Sequence, residues 1–113
     1  MKNYKEKTKN ITLIIDTASS EKVIVELKIN NRRYKAQRKI DQRKAQAVLP
    51  IIKTILEKHK ISLSDIQNIK VNQGPGSFTG LRVGISVANA LSFALKIPFN
   101  KKKVGEFVQA LYE

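Results

Sequence analysis

The stretch Gly74-Pro75-Gly76-Ser77-Phe78-Thr79-Gly80-Leu81-Arg82, followed by the uncharged run 83–95, constrains this chain more than any other part of it. Residues 66–71, just ahead, are largely apolar and read as a strand. Gly74-Pro75-Gly76 ends that extended run, because glycine reaches positive φ and proline cannot continue a sheet ladder. Ser77 is placed to cap a helix, its hydroxyl accepting from an orphan amide of the first turn. The unit is therefore strand–turn–helix, a geometry in which free amides converge on phosphate groups. Spacing argues against that use. A Walker loop requires Gly-Lys-Ser/Thr after four intervening residues, and here Gly80 is followed by Leu81 and Arg82; a dinucleotide fingerprint requires its third glycine one residue before Gly80. A tight turn feeding a packed helix is the simpler reading.

Within that helix Gly80, Gly84, Ala88 and Ser92 recur every four residues and form one narrow stripe of small side chains. Leu81, Ile85, Val87, Leu91, Phe93 and Leu95 cover the remaining directions. Two helical glycines cost about 1 kcal/mol each relative to alanine, a loss that close approach of another backbone would offset. A helix apolar all round is buried on more than one side. One side is expected to be its own sheet and the other a second protein.

The 113 residues suffice for one small domain, burying roughly 65% of the surface its unfolded chain exposes. No cysteine is present, so there is no disulfide framework or thiolate metal site, in keeping with a reducing cytoplasm. His59 is the sole histidine, which argues against a histidine-based metal site or catalytic triad. No secretory leader is apparent, and the run 83–95, bounded by Arg82 and Lys96, is too short to span a bilayer. A soluble, cytoplasmic protein with no cofactor is expected. The net charge of +13 is uneven. Lys28, Arg32, Arg33, Lys35, Arg38, Lys39, Arg43 and Lys44 are opposed only by Asp41 over that span; Lys101-Lys102-Lys103 and the N-terminal tail add two more clusters. Such patches attract polyanions in a salt-dependent way. With Tyr34 the one aromatic nearby, a stacking platform for single-stranded RNA is not indicated.

Along the chain, residues 1–10 read as a flexible basic tail and 11–113 as one domain. Residues 11–15 carry apolar side chains on both faces, as a central strand does, and end in the turn composition Asp16-Thr17-Ala18-Ser19-Ser20. Val23, Val25, Leu27 and Ile29 alternate with Lys22, Glu26 and Lys28, Asn30-Asn31 supplies a hairpin turn, and the cationic run 32–38 suits an edge strand. A helix is expected from Asp41 to about Lys60, with Pro50 producing a kink or a late start and His59 in its last turn. A capping box at Ser62-Leu63-Ser64-Asp65 precedes strand four. After the glycine-turn helix come a poor fifth strand from Ile97-Pro98-Phe99 and a last amphipathic helix carrying Val104, Phe107, Val108 and Leu111. The order βββαβαβα defines an α/β fold with a mixed sheet and helices packed on it, one lobe of the actin-like (RNase H-like) architecture.

Asp16-Thr17 after an apolar strand, Leu49-Pro50 in the first helix and Gly74-Pro75-Gly76-Ser77-Phe78-Thr79-Gly80-Leu81-Arg82-Val83-Gly84 together resemble the TsaB (YeaZ) family of the Gcp-like, actin-type superfamily, over about residues 11–98. Departures accompany the match. Lys44-Ala45 replaces the His-Ser that usually precedes the Leu-Leu-Pro element, the Leu-Leu itself reads Val48-Leu49, and Lys101 to Lys103 stand where apolar residues are expected. The chain resembles the first lobe alone, without the family's second lobe.

The resemblance implies a non-catalytic scaffold that supports a TsaD-type subunit in placing threonylcarbamoyl on adenosine 37 of tRNA. Asp16 is followed by Thr17-Ala18-Ser19 with no phosphate-loop glycine, and the His-x-x-x-His of the catalytic relatives is absent, which argues against ATP or metal binding by this chain. Family members pack their two N-lobe helices against those of TsaD, or against a second copy of themselves. Val48, Leu49, Ile52, Leu56, Gly80, Gly84 and Ala88 are the residues expected to divide between sheet and partner, with a TsaE-like ATPase involved indirectly. Arg32, Arg33, Lys35 and Arg38 are the expected tRNA contacts. Two other readings stand beside the scaffold: an independent basic RNA-binding module, and a Gcp-like nucleotide-dependent enzyme or glycoprotease.

Overall fold

The computed structural model describes residues 10–40 and 44–100, Lys44 by its backbone only. Three strands open the chain: β1 (Ile11–Asp16), β2 (Lys22–Ile29) and β3 (Arg32–Lys39). The hairpin between β2 and β3 closes over Asn30-Asn31, with Ile29 opposite Arg32. Asn30 takes the left-handed conformation at φ 56°, which asparagine tolerates because its short side chain bonds locally; its Oδ1 accepts from the Asn10 amide at 3.0 Å.

Helix α1 (Lys44–Lys58) follows, then a 3-10 turn (Leu63–Asp65), strand β4 (Asn68–Val71) and helix α2 (Phe78–Leu95). The sheet order is β3-β2-β1-β4, antiparallel except for the parallel pair β1/β4. Thus β1 is central and the cationic β3 lies at an edge, as their apolar content requires. Among the described residues the expected fifth strand is reduced to a single bridge beyond β4, Phe99 to Ile69. The segment is held there by backbone bonds to Ile69 and by the Asn100 side chain, whose Oδ1 accepts from the Val71 amide at 2.8 Å while its Nδ2 donates to the Val71 carbonyl at 2.9 Å. One amide side chain thereby takes the place of a neighbouring strand's peptide group. Asn100→Ala is expected to cost about 1–3 kcal/mol in denaturant titration, since it strips both bonds from a half-buried backbone. The expected last helix, the N-terminal tail, Asp41 and Lys101 to Lys103 lie outside the described residues.

Alternation sorts the strand residues cleanly. Leu13, Ile15, Val23, Val25, Leu27, Ile69 and Val71 point to one face, all buried, and α1 and α2 cover that face. From α1 come Val48, Ile51, Ile52, Ile55 and Leu56, the inner stripe of a 3.6-residue period. The helix runs through Pro50 rather than starting after it; the Thr54 hydroxyl donates to the Pro50 carbonyl at 2.9 Å. His59 sits just past the last helical residue, its ring 4.0 Å from that of Tyr34 on β3. This contact ties the end of α1 to the sheet edge and accounts for the histidine without a chemical role.

Candidate functional site

Two loops meet at the carboxyl ends of the parallel strands β1 and β4, where α/β sheets commonly hold ligands. From β1 comes Asp16-Thr17-Ala18; from β4 comes Asn72 and the glycine turn. The Asp16 carboxylate accepts from the Ala18 amide at 3.0 Å and from the Asn72 side-chain amide at 3.2 Å. Asn72 Oδ1 in turn accepts from the Gly74 amide at 2.9 Å, with Gly74 at φ 118°. The Ser77 amide donates to the Ala18 carbonyl at 2.9 Å, and Ser77 Oγ caps α2 by accepting from the Gly80 amide at 3.1 Å. The amides of Ala18, Gly74, Ser77 and Gly80 therefore already bond within the chain. Gly76 lies so close to Ala18 that a Cβ would fall 2.7 Å from the alanine Cβ and 2.9 Å from its carbonyl oxygen. The junction is a packed joint, in agreement with the spacing of the glycines.

Thr17 locks the joint to α2. Its side chain is fully buried, and its hydroxyl donates to the Gly80 carbonyl while accepting from the Gly84 amide at 3.0 Å. The threonine thus bridges donor and acceptor one helical turn apart. A Cβ on Gly84 would lie 2.4 Å from Thr17 Oγ1 and 3.4 Å from a Val71 methyl. Here the small-residue stripe finds its reason: Gly80, Gly84, Ala88 and Ser92 are all buried and lie on the face of α2 turned to its own sheet. Ser92 adds a bond from its hydroxyl to the Ile97 carbonyl.

The seven residues expected to divide between sheet and partner differ in where they lie. Val48, Gly80, Gly84 and Ala88 are buried within the chain, Leu49 is 54% exposed, and Ile52 and Leu56, though buried, line the outer groove beside Leu49. Small residues indicate close approach, and the sequence cannot say to what; the approaching group, Thr17, lies 67 positions from Gly84. A Gly84→Leu variant, suggested by the stripe as a probe of partner binding, would test folding instead.

The outward apolar surface joins three of them to other residues. Leu49, Ile52 and Leu56 line a shallow groove with Pro50, Ile61, Leu63 and Leu91, and Lys53 and Glu57 border it. Further along α2, Phe78, Val83 and Val87 line a second depression with Ala45 and Arg82. The Arg82 guanidinium lies 5.2 Å from the centre of the Phe78 ring, and Phe78 and Phe93 are 54% and 74% exposed. The sequence signal for these residues is the row Val83, Val87, Leu91, also spaced by four but offset from the small stripe. By length and composition α2 is also apolar enough to cross a membrane, yet its Gly80, Leu81, Gly84, Ile85, Ala88 and Ser92 are buried in this fold, as in a core helix.

The basic residues divide between two faces. Tyr34 and Ala36 of β3 stand opposite Leu27 and Val25, so Arg32 and Arg38 share the helix-bearing side, while Arg33 and Lys35 point to the other. Among the described residues no group of three or more His, Cys, Asp or Glu side chains is arranged to hold a metal.

The model of the family described as TsaD, tRNA N6-adenosine threonylcarbamoyltransferase, matches residues 9–101. The chain belongs to this family. It is 36% identical over 86 residues to the tRNA threonylcarbamoyladenosine biosynthesis protein TsaB of Buchnera aphidicola subsp. Baizongia pistaciae, covering 76% of this chain and 38% of that protein. It is 47% identical over 53 residues to the tRNA N6-adenosine threonylcarbamoyltransferase of Syntrophus aciditrophicus, covering 47% of this chain and 16% of that enzyme. The solved structure of YeaZ from Pseudomonas aeruginosa superposes with a TM-score of 0.75 at 33% identity, over 80% of this chain and 42% of that one. The chain therefore spans about two fifths or less of the length of these relatives. TsaB and YeaZ homologues share its α/β fold with a mixed sheet, and the glycine stretch sits in the part aligned with them.

Proposed function

We propose that this chain acts as a non-catalytic scaffold in tRNA threonylcarbamoyladenosine formation, pairing through the outer face of α1 and α2 with a TsaD-type catalytic subunit. The observation that carries the reading is the apolar groove in which exposed Leu49 of α1 and exposed Leu63 of the 3-10 turn meet half-buried Leu91 of α2, outside two helices whose inner faces are already occupied by the sheet. Large apolar side chains left exposed together mark association surfaces. Exposed Phe78, in the neighbouring depression, is a residue of the kind that anchors interfaces. The names of the TsaB relatives supply the pathway. A second copy of the chain is the alternative occupant of the same face when TsaD is absent. The joint around Asp16 and Thr17 supports the non-catalytic part of the reading, because the amides of Ala18, Gly74 and Gly84 and the Thr17 hydroxyl are bonded internally.

Reconstitution is the direct test. With TsaD, the remaining biosynthetic proteins and an unmodified tRNA, formation of threonylcarbamoyladenosine is expected to fall at least tenfold when this chain is left out. Equal modification with and without it would remove the scaffold role. ATP turnover by the purified chain alone would favour the nucleotide-dependent enzyme instead.

A further inference from the structure

The sheet has a second face, opposite the helices, and its side chains form rows across the strands. Arg33 of β3 stands beside Lys28 of β2, which stands beside Thr12 of β1 and then Asn68 of β4. The next row reads Lys35, Glu26, Ile14, Lys70, and Lys39 stands beside Lys22 at the far end. Arg33, Lys35, Lys39 and Lys70 are exposed, and Lys22 and Lys28 are half-exposed. Two cross-strand pairs, Lys22 with Lys39 and Lys28 with Arg33, therefore set like charges directly opposite each other, an arrangement that destabilises a sheet. Glu26, opposite Lys35 and 3.6 Å from the exposed Arg33 guanidinium, is the acidic residue in these rows and offsets part of that repulsion. A fold that keeps such pairs side by side gains when an anion lies across them.

The anion must be extended. Positions on one face of a strand recur every second residue, about 7 Å apart, and neighbouring strands lie about 5 Å apart, so Lys22 and Lys28 of β2 with Arg33, Lys35 and Lys39 of β3, interrupted by Ile24, Glu26 and Gln37, form a band rather than a pocket. A single phosphate would meet only one or two of them. A phosphodiester backbone meets several, at a step comparable with that between successive phosphates. Aromatic side chains are missing from the rows, so bases have nothing to stack on and recognition is of backbone, not sequence.

We infer that the β2–β3 band, Lys22, Lys28, Arg33, Lys35 and Lys39, binds the phosphate backbone of an RNA, a surface separate from the outer helix face. Arg32 and Arg38 do not belong to it, because they lie on the helix-bearing side. The proposed role in tRNA modification supplies only the choice of RNA; backbone binding itself stands on the rows of charge.

The test uses the full chain and an unmodified tRNA transcript, with binding followed by fluorescence anisotropy between 50 and 200 mM salt. The sheet variant Lys28→Gln/Lys35→Gln/Lys39→Gln is compared with Lys58→Gln/Lys60→Gln/Lys96→Gln, which removes the same charge from exposed positions in the helix layer. The sheet variant is expected to bind at least tenfold more weakly, with the slope of log affinity against log salt reduced by about 2, as three lost phosphate contacts imply. The control is expected to change less than threefold. Equal losses in the two variants would show that net charge alone attracts RNA and would overturn the proposal. So would tighter binding to vesicles containing phosphatidylserine than to tRNA, or no RNA binding at 50 mM salt. Co-purification with a TsaD-type subunit separates this proposal from the scaffold reading, since the sheet variant is expected to retain the partner while losing RNA.

Discussion

Replacing Gly84 by alanine is expected to destabilise the chain by about 3 kcal/mol, combining overpacking in a closed contact with disturbance of a buried hydrogen bond. The added methyl would lie 2.4 Å from Thr17 Oγ1, so the threonine must leave the space between the Gly80 carbonyl and the Gly84 amide. A domain of this size has about 5–15 kcal/mol in all, and a loss of 3 should lower its melting temperature by more than 10 °C. Thr17→Ala alone is expected to cost about 1–3 kcal/mol through the lost hydroxyl. The double variant is the informative one. With the hydroxyl gone the methyl is accommodated and the Gly84 amide can return to the Gly80 carbonyl, so the two losses should fall short of adding by at least 1 kcal/mol. Strict additivity, or a Gly84→Ala variant as stable as the parent, would show that this joint does not hold α2 to the sheet.

The second large effect concerns association, with stability unchanged. Leu49→Glu places a charge at an exposed position in a helix that tolerates glutamate well, so the melting temperature of the isolated chain should move by no more than about 2 °C. Capture of a TsaD-type subunit, or self-association if that is what the face serves, is expected to weaken roughly 30- to 100-fold, the range for losing a central apolar anchor and leaving a charge in its place. Analytical ultracentrifugation and surface-immobilised binding both read this. Undiminished binding to both occupants would take the outer face out of the interface. The contrast with Gly84 separates the two roles that the sequence left merged: one position should lose the fold and the other only the partner.

The reason for that merging is physical. Local pattern carries the direction of a side chain around its own helix, so the stripes Gly80-Gly84-Ala88-Ser92 and Val83-Val87-Leu91 were both legible. It does not carry which stripe meets which neighbour. Small residues looked like a partner's landing strip because they indicate close approach in either case. In the same way, alternation in β2 and β3 made the hairpin and the edge strand legible. The bulk cationic composition hid the split of Arg32 and Arg38 from Arg33 and Lys35, which appears only once Tyr34 and Ala36 are seen to face Leu27 and Val25.

What the sequence determined by itself was the order of elements from β1 to α2, the cap at Ser77, the turn at Asn30-Asn31, the central and edge characters of β1 and β3, and the family, since each rests on nearby residues or on an uninterrupted motif. Only the tertiary structure decided the use of the glycine stretch. Thr17 reaches Gly80 and Gly84 across more than sixty residues of chain because the parallel pairing of β1 with β4 brings their carboxyl ends together. A contact made by strand pairing leaves no trace in the local pattern on either side, and here that contact turns an apparent phosphate cradle into the joint that holds the helix in place.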